Sequence, residues 1–301
     1  MRPGKRPSPV RPASRARLPA FVRVFLFLGV LVGAGLTFYA ACIEPFEVGV
    51  TRWTVRTEKW PYDEPLTIAL VSDTHAIWPW MTPARLDALV RDVNALKPDL
   101  ILLLGDYVAT HPFGMQLKPE AGIAPYKKLF APCGVFAVLG NHDMYTSTQG
   151  WPSALRATRI PVLENKALPI SCLGRNMWIA GLGELWSDKA DVAGTMAQIV
   201  GKDPVILMMH NPDSFPKTPP RVALSVAGHT HGGQIALPGI GPVRQVIPSR
   251  YGLRYVYGHI VEEDKDLIVT RGLGSTGLPL RFGLPPEIAL VTVTYPPSTE
   301  P

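Results

Sequence analysis

Cysteine is scarce in this 301-residue chain. The three present, Cys42, Cys133 and Cys172, fit neither the paired spacing of a thiolate metal site nor the density of a disulfide framework. Cys42 falls in a long apolar run, which leaves Cys133 and Cys172 as the only two able to pair, and both read as small buried apolar residues. Internal repeats and long linkers are missing as well, so one large domain is the economical organisation. Acidic residues are absent from residues 1–23, where seven basic groups stand (Arg2, Lys5, Arg6, Arg11, Arg15, Arg17 and Arg23). Subtracting those seven from the net charge of +6 leaves the remaining chain at −1. The basic balance therefore belongs to a tail expected to be disordered, and a nucleic-acid-binding face is not its source.

What the tail precedes is residues 24–43, VFLFLGVLVGAGLTFYAACI, a run without a single charge. Twenty residues at about 1.5 Å each span the roughly 30 Å hydrocarbon layer of a bilayer. A secretory leader has a shorter apolar region, and Ala40-Ala41-Cys42 makes a poor cleavage site, so a retained single-pass anchor is expected. The positive-inside rule keeps the basic tail in the cytoplasm and sends everything after Glu44 across the membrane. The expected organisation is thus a cytoplasmic tail (1–23), an anchor (24–43) and a catalytic domain (44–301).

Beyond the anchor the chain repeats one pattern, a short apolar run followed by a polar cluster. Residues 66–71 lead to Ser72-Asp73-Thr74-His75, 100–104 to Gly105-Asp106, and 135–139 to Gly140-Asn141-His142-Asp143. Residues 205–209 lead to His210-Asn211, and 222–226 to Gly228-His229-Thr230-His231. Such Leu/Ile/Val runs read as buried strands, which puts each cluster in a loop at a strand's C-terminal end, where open α/β sheets gather ligands. Between the first two runs, Thr82-Pro83 opens a helix with an apolar stripe of Leu86, Leu89, Val90, Val93 and Leu96, and Pro98 ends it. Strand, helix and strand make a βαβ unit. A weaker helix is expected over 191–200, and strands over 267–270 and 288–294.

The clusters supply carboxylate, amide and imidazole groups: Asp73, His75, Asp106, Asn141, His210, His229 and His231. Hard divalent cations take such ligands, and a hydrolytic site holds two of them roughly 3.5–4 Å apart. One Asp-x-His pair means little, and a Gly-Asp after a strand is usually a turn. Gly-His-Thr-His-Gly-Gly is far more specific, and five clusters in this order are hard to attribute to chance.

Together, Asp73-x-His75, Gly105-Asp106, Gly140-Asn141-His142-Asp143, His210 and Gly228-His229-x-His231 resemble the calcineurin-like metallophosphoesterase superfamily. The anchored start, Ile43-Glu44-Pro45 and the closing segment from Arg271 to Ile288 resemble its bacterial membrane-associated branch. The resemblance implies an α/β fold of four αββα layers, with two mixed β-sheets face to face. It implies one cation held by Asp73, His75, Asp106 and His231, and a second held by Asp106, Asn141, His210 and His229. His142 is then a catalytic residue that reaches the phosphate without binding metal. The cations (Mn, Fe, Zn or a mixture) would activate a water for in-line attack on a phosphate or pyrophosphate ester.

The expected partner is a phosphate-ester substrate, with lipid-linked compounds included, acted on at the bacterial inner membrane by a domain on its outer side. Two other readings stand beside it. One is hydrolysis of a UDP-2,3-diacylglucosamine-type precursor of lipid A, a cytoplasmic compound that conflicts with the orientation; the other is a non-catalytic tethered binding protein. Of the remaining polar residues, His111 reads as a loop histidine and His259 as a hairpin residue. Arg271 and Arg281 fit either a substrate phosphate or a structural ion pair, and Asp143 either an orienting hydrogen bond or a turn.

Overall fold

The computed structural model describes residues 18–296 except 111 and 146–147. His111 and most of the basic tail lie outside the described residues. The chain divides into two units, Met1–Tyr39 and Ala40–Pro301. The first contains most of α1 (Ala20–Cys42), a helix whose only buried residue is Ala40. The expected apolar span is helical up to Cys42, with Ile43 in the following turn; the helix begins four residues earlier than expected and is long and apolar enough to cross a membrane.

In the second unit, β1 (Gly49–Arg56), β2 (Leu66–Val71) and β3 (Ile77–Trp78) precede α2 (Pro83–Ala95). Then come β4 (Leu100–Leu103), β5 (Met115–Gln116), α3 (Pro119–Ile123), β6 (Val135–Ala137) and α4 (Gly150–Arg156). The hairpin of β7 (Lys166–Cys172) and β8 (Arg175–Gly181) leads to α5 (Val192–Ala197), β9 (Val205–Met208) and β10 (Leu224–Ala227). A small ribbon of β11 (Ala236–Leu237) and β12 (Gly241–Pro242) precedes β13 (Gly258–Glu262), β14 (Lys265–Val269) and β15 (Glu287–Thr294).

These strands build two mixed sheets, ordered β1-β15-β2-β4-β6 and β13-β14-β10-β9-β8-β7. Alternation along each strand makes the layers. Ile68 and Leu70 of β2 point to the second sheet and join Ile179, Ile206, Met208, Val226 and Ile268 in a central core. Their neighbours Ala69 and Val71 point the other way, onto Leu86, Leu89 and Val93 of α2 and Trp151 of α4. On the far side, Leu207, Val269 and Phe215 form a third core partly covered by α5. This is the expected pair of face-to-face mixed sheets with helices outside.

Thr82 caps α2, its hydroxyl accepting from the Arg85 amide, and β2, α2 and β4 form the expected βαβ unit, with β2 and β4 paired in parallel. The expected helix at 191–200 is shorter, because Asp191 caps it from outside and it ends at Ala197. One expectation is overturned. Cys133 and Cys172 are joined in a disulfide, with Cα atoms 5.3 Å apart. Cys133 sits just before β6 in one sheet and Cys172 ends β7 in the other, so the bond ties the two sheets together. Three cysteines with no framework spacing concealed this, since the pairing depends on sheet stacking and not on separation in the chain.

Candidate metal centre

All five polar clusters arrive at one place, because β2, β4, β6, β9 and β10 end on the same side of the two sheets. The close packing of their loops explains the glycines. A Cβ on Gly140 would fall on the Asp106 carboxylate and its backbone amide, and one on Gly228 would fall on Ser72 and Asp73. The loops are also strained. Asp73, His75, Asp106, His229 and His231 all take positive φ between 47° and 71°. Non-glycine residues held there cost about 1–3 kcal/mol each, and such strain gathers where function demands a geometry.

Three groups have ligand atoms within 4.8 Å of one another: Asp73–His75–His231, His75–Asp106–His142, and Asp106–His210–His229. Asp106 belongs to two of them. Its Oδ2 lies 3.6 Å from His75 Nε2 and 3.3 Å from His210 Nε2, while His231 Nε2 lies 3.4 Å from Asp73 Oδ1. Asn141 Oδ1 is 3.1 Å from His210 Nε2.

Backbone carbonyls fix the imidazoles. His75 Nδ1 donates to the Val108 carbonyl, His210 Nδ1 to that of Leu104, and His229 Nε2 to that of Pro248. A carbonyl can only accept, so the bonded nitrogen of each ring carries a hydrogen and the other nitrogen points inward, the orientation of metal-binding histidines. His75 Nε2 then meets His231 Nε2 at 3.1 Å, and His229 Nδ1 meets His210 Nε2 at 3.1 Å. Two imidazole nitrogens at that distance need a proton or a cation between them, and His231 is held differently from the others, its Nδ1 accepting from the buried Arg281 guanidinium at 3.3 Å. The donor set is imidazole, carboxylate and amide without thiolate, which suits first-row divalent metals.

The electrostatics of the ligand set make the same demand. Burial disfavours charge on His210, but Asp106 and then Asp73 outweigh it and push the imidazole up to about 10. Burial lowers His75 and His229 to about 3, with His142 and His210 respectively adding to the effect. Burial raises Asp73 to about 6, with Asp106 reinforcing and His210 opposing. Burial also works against Asp106, yet His210 and His142 hold its carboxyl well below the usual range. Two buried carboxylates are thus balanced by shared positive charge.

His142 stands beside the cluster, its ring 4.8 Å from that of His75. Thr110 hydrogen-bonds its Nδ1 and Thr276 lies 3.2 Å from its Nε2. Both threonines were missed by the sequence reading, which had no motif to mark them. Asp143 is resolved in favour of orientation. Its carboxylate accepts from the backbone amides of Asp106, Tyr107 and Gly140 at 2.8–2.9 Å, binding two ligand loops together. Burial and the nearby Asp106 push that carboxyl up to about 7.

Arg271 and Arg281 are structural. Arg271 pairs with buried Glu287 at 2.8 Å, and Arg281, fully buried, donates to the carbonyls of Arg271, Gly274 and Leu284. Glu184 folds its own loop by accepting from the Trp186 and Ser187 amides, and the Trp186 ring stands edge-on to His229 at 4.5 Å. His259 does lie in a hairpin, bonded to Asp266 across β13 and β14.

The calcineurin-like phosphoesterase family model matches residues 66–233, which hold every one of these clusters. A relative in Bacillus subtilis (strain 168), the uncharacterized metallophosphoesterase YkuE, is 34% identical over 272 residues, covering 89% of this chain and 93% of that protein. Phosphodiesterase YaeI of Escherichia coli (strain K12) is 33% identical, covering 68% of this chain and 75% of its own length. A transmembrane protein with metallophosphoesterase domain from Bos taurus is 28% identical over 77% of this chain and 54% of that protein.

Proposed function

The chain belongs to the calcineurin-like phosphoesterase family and is a metal-dependent phosphoesterase, and on that premise we propose that it is a membrane-tethered phosphodiesterase with two divalent cations. One cation is assigned to Asp73, His75, Asp106 and His231, the other to Asp106, Asn141, His210 and His229. The observation that carries this division is the position of the Asp106 carboxylate, within 3.6 Å of His75 on one side and 3.3 Å of His210 on the other. Mn, Fe and Zn all suit the donors.

When bound, such cations supply Lewis acidity at the phosphoryl oxygens and lower the pKa of a coordinated water. The protein's own residues do the rest. Carbonyls of Val108, Leu104 and Pro248 hold three imidazoles in the tautomer that faces inward. The Asp106 Oδ1 atom accepts from the His142 amide at 2.9 Å, so the same carboxylate that links the two ligand sets also places the catalytic histidine. His142 holds a proton at Nε2 for the departing oxygen, and Thr110 and Thr276 fix its ring.

The tether is assigned to residues 24–43, the basic tail to 1–23 and the catalytic domain to 44–301. Retention of the anchor is supported where α1 ends. The Ala40 carbonyl accepts from the Arg281 amide, and the buried Glu44 carboxylate accepts from the amides of Gly283 and Leu284. The positive-inside rule then puts the domain on the outer, periplasmic side of the inner membrane. The Cys133–Cys172 disulfide favours the same side, because such bonds persist in oxidising compartments. A UDP-2,3-diacylglucosamine-type substrate would lie on the opposite side, and a non-catalytic platform would not need seven ligand positions all filled.

The test uses the full chain in detergent, stripped by chelator and assayed on phosphomonoesters and phosphodiesters with and without Mn²⁺. Mn²⁺-dependent hydrolysis of diesters is expected. A metal-loaded protein inert on every phosphate ester would defeat the proposal.

A further inference from the structure

Directly beside the metal centre lies a cavity of about 320 Å³. It falls at the lower end of the roughly 300–1,000 Å³ typical of ligand pockets. Its walls are Ile235, Val246, Pro248 and Leu278, and its inner end is made by His231 and Thr276. Two of these residues also serve the catalytic groups: the Pro248 carbonyl holds His229, and the Thr276 hydroxyl faces His142. A substrate bound at the metals therefore has one of its substituents next to this cavity.

Among the described residues, no lysine, arginine, aspartate or glutamate lines it. The polar side chains that do are already committed. Gln234 donates to the carbonyls of Thr276 and Leu278 and accepts from the Thr276 amide, while Thr230 donates to the Val256 carbonyl. A sugar or nucleoside would find few unspent partners there, whereas a hydrocarbon chain needs none.

The mouth is apolar too. Val246 is 56% exposed and Leu278 50%, and beyond them Ile240, at the turn of the β11–β12 ribbon, is 78% exposed. From Leu278 the chain runs only three residues to Arg281, whose amide holds Ala40, the residue at which α1 joins the domain. The ribbon is bound to the same segment, with the Ala236 amide donating to the Phe282 carbonyl. The cavity's outer wall and Ala40, the first residue of the second unit, are thus held by one short segment of chain.

Resting on the tethered-phosphodiesterase reading above, we propose that this cavity receives the hydrocarbon portion of an amphiphilic phosphoester taken from the membrane, while the phosphate lies at the metals. Substrate selection then depends on chain length as well as on the phosphate.

The experiment uses the full chain in phosphatidylcholine nanodiscs with Mn²⁺ and a series of p-nitrophenyl alkyl phosphodiesters from methyl to hexyl. The kcat/KM should rise about fourfold per added methylene, the value of burying one such group, until the cavity is full. Val246→Asp and Leu278→Asp should each cut the hexyl-to-methyl ratio at least tenfold, with metal content and unfolding midpoint near wild type, since both sites are half exposed. A flat series among hydrolysed esters would overturn this inference alone. So would a slope that both variants retain, which would mark partition into the bilayer as its cause. Hydrolysis of no ester would overturn the phosphodiesterase reading and this inference with it.

Discussion

At Asp106 the two carboxylate oxygens face different tasks: Oδ2 lies between His75 and His210, and Oδ1 receives the His142 amide. Removing the charge in Asp106→Asn is therefore expected to abolish metal loading and hydrolysis together, as read by elemental analysis and diester turnover. His142→Ala should separate them, keeping its metals while losing about 10²- to 10⁴-fold in kcat. Loss of both metals in that variant would contradict the role assigned to His142. Asp143 touches no proposed metal position, yet its carboxylate collects four backbone amides, those of Asp106, Tyr107, Val108 and Gly140. Asp143→Ala should lower stability by about 1–3 kcal/mol in urea titration, the cost of stranding buried donors, and weaken metal binding as the two loops part. The seven proposed ligand residues were legible in the sequence because each stands in a motif. Thr110, Thr276 and the Pro248 carbonyl were not, since a lone threonine or a main-chain atom leaves no pattern to read.

The strands that carry the polar clusters were legible, whereas β8, buried between β9 and β7, was not, because its sequence RNMWIAG has no long aliphatic run. Strands β4 and β9 are unbroken apolar runs, β2 and β10 are interrupted by a single Thr or Ser, and α2 carries both a cap and a stripe. The edge strands β1 and β7 escaped because solvent on one side dilutes the apolar pattern, as the mixed sequence of β1 shows. The placement of β15 between β1 and β2 rests on pairing between distant segments, which no local pattern records. That strand begins with Glu287, buried and bonded to Arg271, Thr51 and Tyr257. Burial opposes the charge of Glu287, but the Thr51 hydroxyl and Arg271 hold its pKa below the ordinary 4.5. A carboxyl depressed in the folded state stabilises it fully above the unfolded value and loses that contribution as pH falls through the folded one. Urea midpoints should accordingly fall in wild type as pH drops below about 4.5. Glu287→Gln should start lower at pH 7, with Arg271 left unpaired, and show a shallower acid decline.

For the molecule as a whole, the disulfide and the helix at the start of the chain bear on one another. Cys133 and Cys172 are 39 residues apart in the chain, and closing a loop of that size restricts the unfolded state by about 4 kcal/mol in the chain-entropy model. Cys133→Ser should lower the unfolding midpoint of oxidised protein accordingly, and reductant should do the same to wild type. The long apolar helix was legible from twenty uncharged residues behind a basic tail. The disulfide was not, and its correction strengthens the assignment of the domain to the outer side. A reporter fused to the C-terminus and active only outside the cytoplasm should be active; the opposite result would reverse the orientation.

The most direct test of the central claim, two cations divided across Asp106, is metal stoichiometry measured alongside turnover. Chelator-stripped full chain titrated with Mn²⁺ should bind two ions, with diester hydrolysis appearing only as both sites fill and neither event occurring in Asp106→Asn. Full activity with one ion per chain, or an Asp106→Asn variant that still binds two ions and hydrolyses at the wild-type rate, would contradict it.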